Sequence, residues 1–129
     1  MKPIKRQTNT RRRAGGRAVH DLGGLPGALP IDRHEHDLTL YEKRVDAMLM
    51  LLGGPKRGVF KIDALRRVIE DYAEQEYDSL PYYDKWIRAI RNLVIEQELV
   101  TESELEARIA DVTKALKRQG RKVAKRRVP

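Results

Sequence analysis

Pro81-Tyr82-Tyr83-Asp84-Lys85-Trp86-Ile87-Arg88-Ala89-Ile90-Arg91-Asn92-Leu93-Val94 is the stretch whose periodicity decides the fold. Proline suits a first helical position, where its missing N–H had no partner to lose. From there Tyr83, Trp86, Ile87, Ile90, Leu93 and Val94 recur at the three- and four-residue spacing of one helix face. Tyr82 falls off that stripe, so its ring and hydroxyl are free to face something other than a core.

Three more helical patterns flank this one. Upstream, Thr39 and Glu42 have the spacing of a capping box, and Tyr41, Val45, Met48, Leu49 and Leu52 share a face until Gly53-Gly54-Pro55 stops it. A second pattern begins near Asp63, read as its N-cap, with Leu65, Val68, Ile69 and Tyr72 as its stripe. Downstream, Thr101 and Glu104 form another capping box, flanked by Val100 and Leu105 at the positions of a hydrophobic staple. Leu105, Ile109, Val112 and Leu116 follow before the pattern dissolves into lysine and arginine. No segment alternates with period two for long enough to be a strand. The expectation is an all-α fold, a small bundle of about four helices.

Outside the helices, Ala14 to Asp37 carries Gly15-Gly16, Gly23-Gly24, Pro26-Gly27 and Pro30, which reads as an extended arm with turns. The domain plan is therefore a basic, flexible tail over 1–19 and a domain over 20–113, made of an arm (20–38) and helices (39–113). A helix end and basic tail follow over 114–129.

The net charge of +8 hides a division. Residues 1–20 hold seven Lys/Arg and residues 114–129 hold eight, with no acid in either, while all 19 acids lie between them. Such basic ends are solvated tails, phosphate-neutralising segments, or arms along acidic surfaces of sister subunits. The absence of aromatics within the basic runs argues against nucleic acid.

Several chemistries are excluded or poorly supported. With 0 cysteines the chain offers no disulfide, thiolate metal ligand or cysteine nucleophile. His34-Glu35-His36 supplies too few ligands for zinc, and His20 is distant in sequence. Ser79 and Ser103 have no neighbouring histidine. The glycine pairs lack the strand-to-helix setting of a phosphate loop. No run approaches the ~18 apolar residues of a membrane span, and the start has no secretory h-region, so a cytoplasmic protein is expected. In a chain of 129 residues with 36% charged and 5% aromatic residues, the core is modest and a partner is expected to supply burial.

Three features do not fit a bland bundle: the Pro81-Tyr82-Tyr83-x-x-Trp86 cluster, the arm sequence His20-Asp21-Leu22-Gly23-Gly24, and Arg66-Arg67. Read as first-turn residues, the two arginines oppose the helix dipole at a cost of a few tenths of a kcal/mol.

Together with the Glu42-Lys43 helix, Gly58 leading to Asp63 and Arg66, and the Val100-Thr101…Glu104-Leu105 helix start, these features resemble the N-terminal half of the nitrile hydratase β subunit. They equally resemble the separate small subunit of thiocyanate hydrolase that matches that half. The resemblance spans Val19 to Ile109. It implies a subunit that binds no metal itself, beside an α-like partner whose cysteine claw holds Co(III) or Fe(III) with two oxidised thiolates. By the same resemblance Arg66 hydrogen-bonds the oxidised cysteine oxygens across the interface and Tyr82 bonds towards the site, these two being the catalytic candidates. Ile62, Leu65 and Trp86 line the substrate channel, with Leu65 in place of an aromatic. His20, Asp21, Gly23, Gly24 and Tyr83 meet the partner.

The β-rich second half of the family is missing here, which implies a separate subunit equivalent to it. The reaction implied is addition of water to C≡N in a small nitrile or in thiocyanate. The rival readings are an activator that delivers metal-loaded partner subunit, and a basic nucleic-acid-binding bundle.

Overall fold

A computed structural model describes residues 13, 15–25 and 33–121. The order is α1 (Leu40–Gly53), α2 (Ile62–Glu70), α3 (Glu74–Ser79), α4 (Tyr82–Glu96) and α5 (Glu102–Arg118), and no strand occurs among the described residues. The fold is all-α, as expected, with five helices rather than four. The extra one, α3, has six residues and buries none of them, so it carries no stripe to be read in sequence.

The helix starts follow local chemistry. At α1 the Thr39 N–H donates to Glu42 Oε2 (2.7 Å) and the Glu42 N–H to Thr39 Oγ1 (3.3 Å). Thr101 and Glu104 repeat the reciprocal pair at α5 (2.8 and 3.2 Å). The N–H and hydroxyl bonds from each threonine hold Glu42 and Glu104 below the ordinary carboxylate range. At α2 the expectation fails: the N-cap is Lys61, without a side-chain cap, and Asp63 lies inside the first turn. Arg66 and Arg67 consequently stand two residues deeper than expected, and Arg67 is in the last turn, where a cation suits the dipole.

The core is Val45 and Leu49 from α1, Leu65 and Val68 from α2, Ala89, Ile90 and Leu93 from α4, with Phe60 and Tyr72 from the connections. Central α4 packs on both α2 and α1. Polar ties bind the layers: Arg67 Nη2 donates to both carboxylate oxygens of Glu96 (2.9 Å each), Tyr41 donates to Asp84 (2.7 Å) and Tyr72 to the Lys85 carbonyl (2.7 Å). Burial pushes the Tyr72 hydroxyl far up from its ordinary titration range, so it remains a donor. Short α3 is held from α4, by Arg88 to Glu76 (2.9 Å) and by Lys85 Nζ 4.3 Å above the Tyr77 ring.

The arm is anchored from further upstream than the sequence suggests. Arg13 is 8% exposed, and Val19 is fully buried. Arg13 Nε donates to the Val19 carbonyl (2.6 Å), one η nitrogen to Glu74 (3.2 Å) and Asp78 (2.9 Å), and the other to Asp78. This clasp falls inside the stretch read as a flexible tail over 1–19, so that boundary does not hold for Arg13 or for residues 15–19. The remaining residues of that tail, and 122–129 of the C-terminal one, lie outside the described residues.

Candidate functional site

Helix α2 sets Ile62 and Arg66 four residues apart, on one face. Ile62 is 48% exposed and borders an apolar cleft of about 270 Å³ with Leu49, Met50, Gly53, Gly54 and Phe60. Glycine is required at Gly54, because a Cβ there would stand 2.6 Å from the Met50 carbonyl oxygen. That close approach lets the chain leave α1 directly beside the cleft.

Arg66 projects outward. Its side chain is 69% exposed, and its partner among the described residues is Asp63 at 3.3 Å. Exposed pairs of this kind contribute about 0–1 kcal/mol. Its neighbour Arg67 is committed to Glu96 and lies near Asp71 (3.8 Å). Two adjacent guanidinium groups therefore have different occupations, one structural and one open.

At the head of α4, Tyr82, Tyr83 and Trp86 form one aromatic cluster. Tyr82 meets Tyr83 edge-on (5.3 Å, 85°) and Trp86 at a tilt (5.0 Å, 45°). Tyr82 is 62% exposed, in keeping with its place off the stripe, while Tyr83 and Trp86 are half-buried. Desolvation, with Asp46 nearby, raises the Tyr83 hydroxyl above its usual range. No hydrogen bond or ion pair among the described residues joins this cluster to Arg66.

Leu65 is 1% exposed and lies in the core beneath the α2 surface. Its side chain presents no surface from which to line a channel in this chain. In the arm, Arg17 Nη1 donates to the Gly23 carbonyl (2.6 Å) and pairs with Asp21 (3.7 Å), shaping the exposed turn that carries His20, Asp21, Gly23 and Gly24. Gly24 adopts φ +74°, which favours glycine. His36 lies 3.5 Å from Glu42. Among the described residues no three His, Asp or Glu side chains are placed to share a metal ion.

Residues 17–128 match the family described as nitrile hydratase beta subunit, N-terminal. This chain belongs to that family. Within it, the thiocyanate hydrolase subunit beta of Thiobacillus thioparus is 30% identical over 106 residues, covering 81% of this chain and 66% of that protein. The nitrile hydratase subunit beta of Rhodococcus erythropolis is 32% identical over 94 residues, covering 69% of this chain and 44% of its own length. The low-molecular weight cobalt-containing nitrile hydratase subunit beta of Rhodococcus rhodochrous is 26% identical, covering 70% of this chain and 40% of its own. A solved chain of the T. thioparus thiocyanate hydrolase, as recombinant apo-enzyme, superposes with a TM-score of 0.69 at 26% identity over 84% of this chain and 68% of that one. The chain thus spans just under two thirds of the thiocyanate hydrolase subunit and less than half of the nitrile hydratase β subunits.

The family assignment made from motifs is thereby established. The cleft partners of Ile62 were not legible in the motifs. Met50, on the outer side of α1 and 68% exposed, was the available signal, because a large apolar side chain off the stripe wants a neighbour.

Proposed function

We propose that this chain is a subunit of a metal-dependent enzyme that adds water to a C≡N bond, lending Arg66 to an active site held by another polypeptide. The observation that carries this reading is the open guanidinium. Arg67 is bound twice by Glu96, whereas Arg66, 69% exposed, has among the described residues a single 3.3 Å contact, to Asp63. A guanidinium presents a planar fork of donors suited to paired oxygens. On this reading the fork addresses the oxygens of two oxidised cysteines in the claw of an α-like subunit. The Co(III) or Fe(III) held there, never bound by this chain, supplies the Lewis acid that polarises the C≡N group or activates water.

Tyr82 directs its hydroxyl towards the same site across the interface, since its ring is fixed on Trp86 and Tyr83 while most of it faces solvent. Ile62 and Trp86 wall the substrate channel, and Leu65 acts from behind by seating α2. The exposed arm turn at His20, Asp21, Gly23 and Gly24, with Tyr83, meets the partner. The assembly works in the cytoplasm. The apolar lining of the cleft at Ile62 favours a small organic nitrile over thiocyanate, because an anion gains nothing from such walls.

Co-expression with the neighbouring genes tests this reading. The expected result is a stoichiometric complex with a cysteine-claw subunit carrying cobalt or iron. Within it, Arg66→Lys lowers turnover roughly ten- to a hundredfold, matching the ~1.5–3 kcal/mol of a charge-assisted hydrogen bond, and leaves co-purification intact. Unchanged turnover removes Arg66 from the chemistry. Absence of any such partner removes the subunit reading.

A further inference from the structure

Helix α5 has 17 residues, about 25 Å of length, and buries none of them. The closely packed pairs are α2 with α4 and α1 with α4, and α5 belongs to neither. Its tether is Arg91, which donates to Glu102 (2.7 Å) and Glu106 (3.1 Å) near its start. Helices of this length are marginal in water unless an apolar face is packed. That face exists: Leu105, Ile109, Val112 and Leu116 follow at steps of four, three and four, the seam spacing of a coiled coil. Ile109 and Val112 are 48% and 45% exposed, and the seam borders an open groove where Met48 of α1 is 41% exposed.

The charges along α5 say what fits. Its first half carries Glu102, Glu104 and Glu106 against Arg108, and its second half carries Lys114, Lys117 and Arg118 against Asp111. This order suits the helix dipole. It also makes the helix complementary to itself when a second copy runs the opposite way, and repulsive to itself when parallel.

We infer that α5 pairs antiparallel with α5 of a second copy of this chain, about a two-fold axis between Ala110 and Asp111. Leu105 then packs on the second copy's Leu116 and Ile109 on its Val112, the self-complementary arrangement of a two-fold interface. The acidic half of each helix lies against the basic half of the other, and the second helix covers Met48. This pairing is independent of the catalytic reading.

Because the chain has 0 cysteines, single cysteines report the geometry cleanly. Ser103 and Ala110 are exposed and one heptad apart, so they share a lateral position on α5. In the antiparallel pair two Ala110→Cys chains lie nearly level on the same flank, within reach of a short crosslinker, whereas two Ser103→Cys chains are separated by about 22 Å along the axis. The full chain, alone and within its purified complex, should yield a homodimer with a short bismaleimide at position 110 and none at 103. Sedimentation of the unmodified chain should show a concentration-dependent dimer, with Val112→Glu raising its dissociation constant at least about tenfold. Crosslinking at both positions would mean parallel pairing and overturn the proposal. A strictly monomeric chain, or capture at position 110 of a different subunit only, would overturn it too.

Discussion

Two arginine regions of this small protein use the same side chain in opposite ways. Arg13 is 8% exposed and holds the Val19 carbonyl, Glu74 and Asp78 at once, stapling the arm to α3. Arg66 is 69% exposed and, among the described residues, holds only Asp63, at 3.3 Å. The first region satisfies its charge internally and so builds the fold. The second leaves four or more of its five N–H donors to whatever meets the surface. That open guanidinium is the group to which the proposed function gives a role on a neighbouring chain.

The sharpest way to break this comparison is to remove each side chain in turn. Arg13→Ala should lower the melting temperature of the chain by several degrees and release the arm, because Val19, Glu74 and Asp78 lose a shared partner. Arg66→Ala should leave stability within about 0.5 kcal/mol, as for an exposed residue whose ion pair with Asp63 is itself exposed. Differential scanning fluorimetry with hydrogen exchange of residues 15–25 reads both. Equal losses would erase the distinction.

Acid offers a second test, confined to the Arg13 region. The hydrogen bond from Arg13 lowers the Asp78 pKa below its ordinary 3.8. A depressed carboxylate contributes stability that is complete above its unfolded pKa and is lost as pH falls through the folded one. The arm should therefore remain protected from exchange down to about pH 4 and loosen only below 3.8, the ordinary Asp78 value. Loosening near pH 6 would point to a histidine rather than Asp78.

Smaller effects sharpen the picture. The turn after α4 places Glu98 at φ +57°, where the Leu99 N–H reaches the Val94 carbonyl (3.0 Å) in a capping turn that glycine usually serves. Glu98→Gly should raise stability by up to about 1 kcal/mol by chemical denaturation, since neither arginine region is involved. Asp63→Ala should change stability by less than about 0.5 kcal/mol, because it removes only an exposed pair from Arg66.

What could be read in advance follows the same division. Both capping boxes, the α4 stripe and the helical class were legible because they depend on residues within a turn or two of one another. The place of Tyr82 off the α4 stripe was legible too, and its ring is 62% exposed. The Arg13 clasp was not legible, since its carboxylates lie 61 and 65 residues away and a basic run near the start looks like a tail. Helix α3 was missed because it buries nothing, and the start of α2 was misplaced because Lys61 caps it without a side-chain bond. Leu65 shows the limit of motif transfer: the stripe put it in the core, the resemblance put it in the channel, and at 1% exposure it lies in the core.

The measurement that bears most directly on the account is a high-resolution structure of the assembled complex. The expected result is the Arg66 guanidinium within about 2.7–3.2 Å of oxygens on the partner's oxidised cysteine sulfurs. A map in which Arg66 still faces Asp63 and bulk water, with the metal site elsewhere, would contradict it.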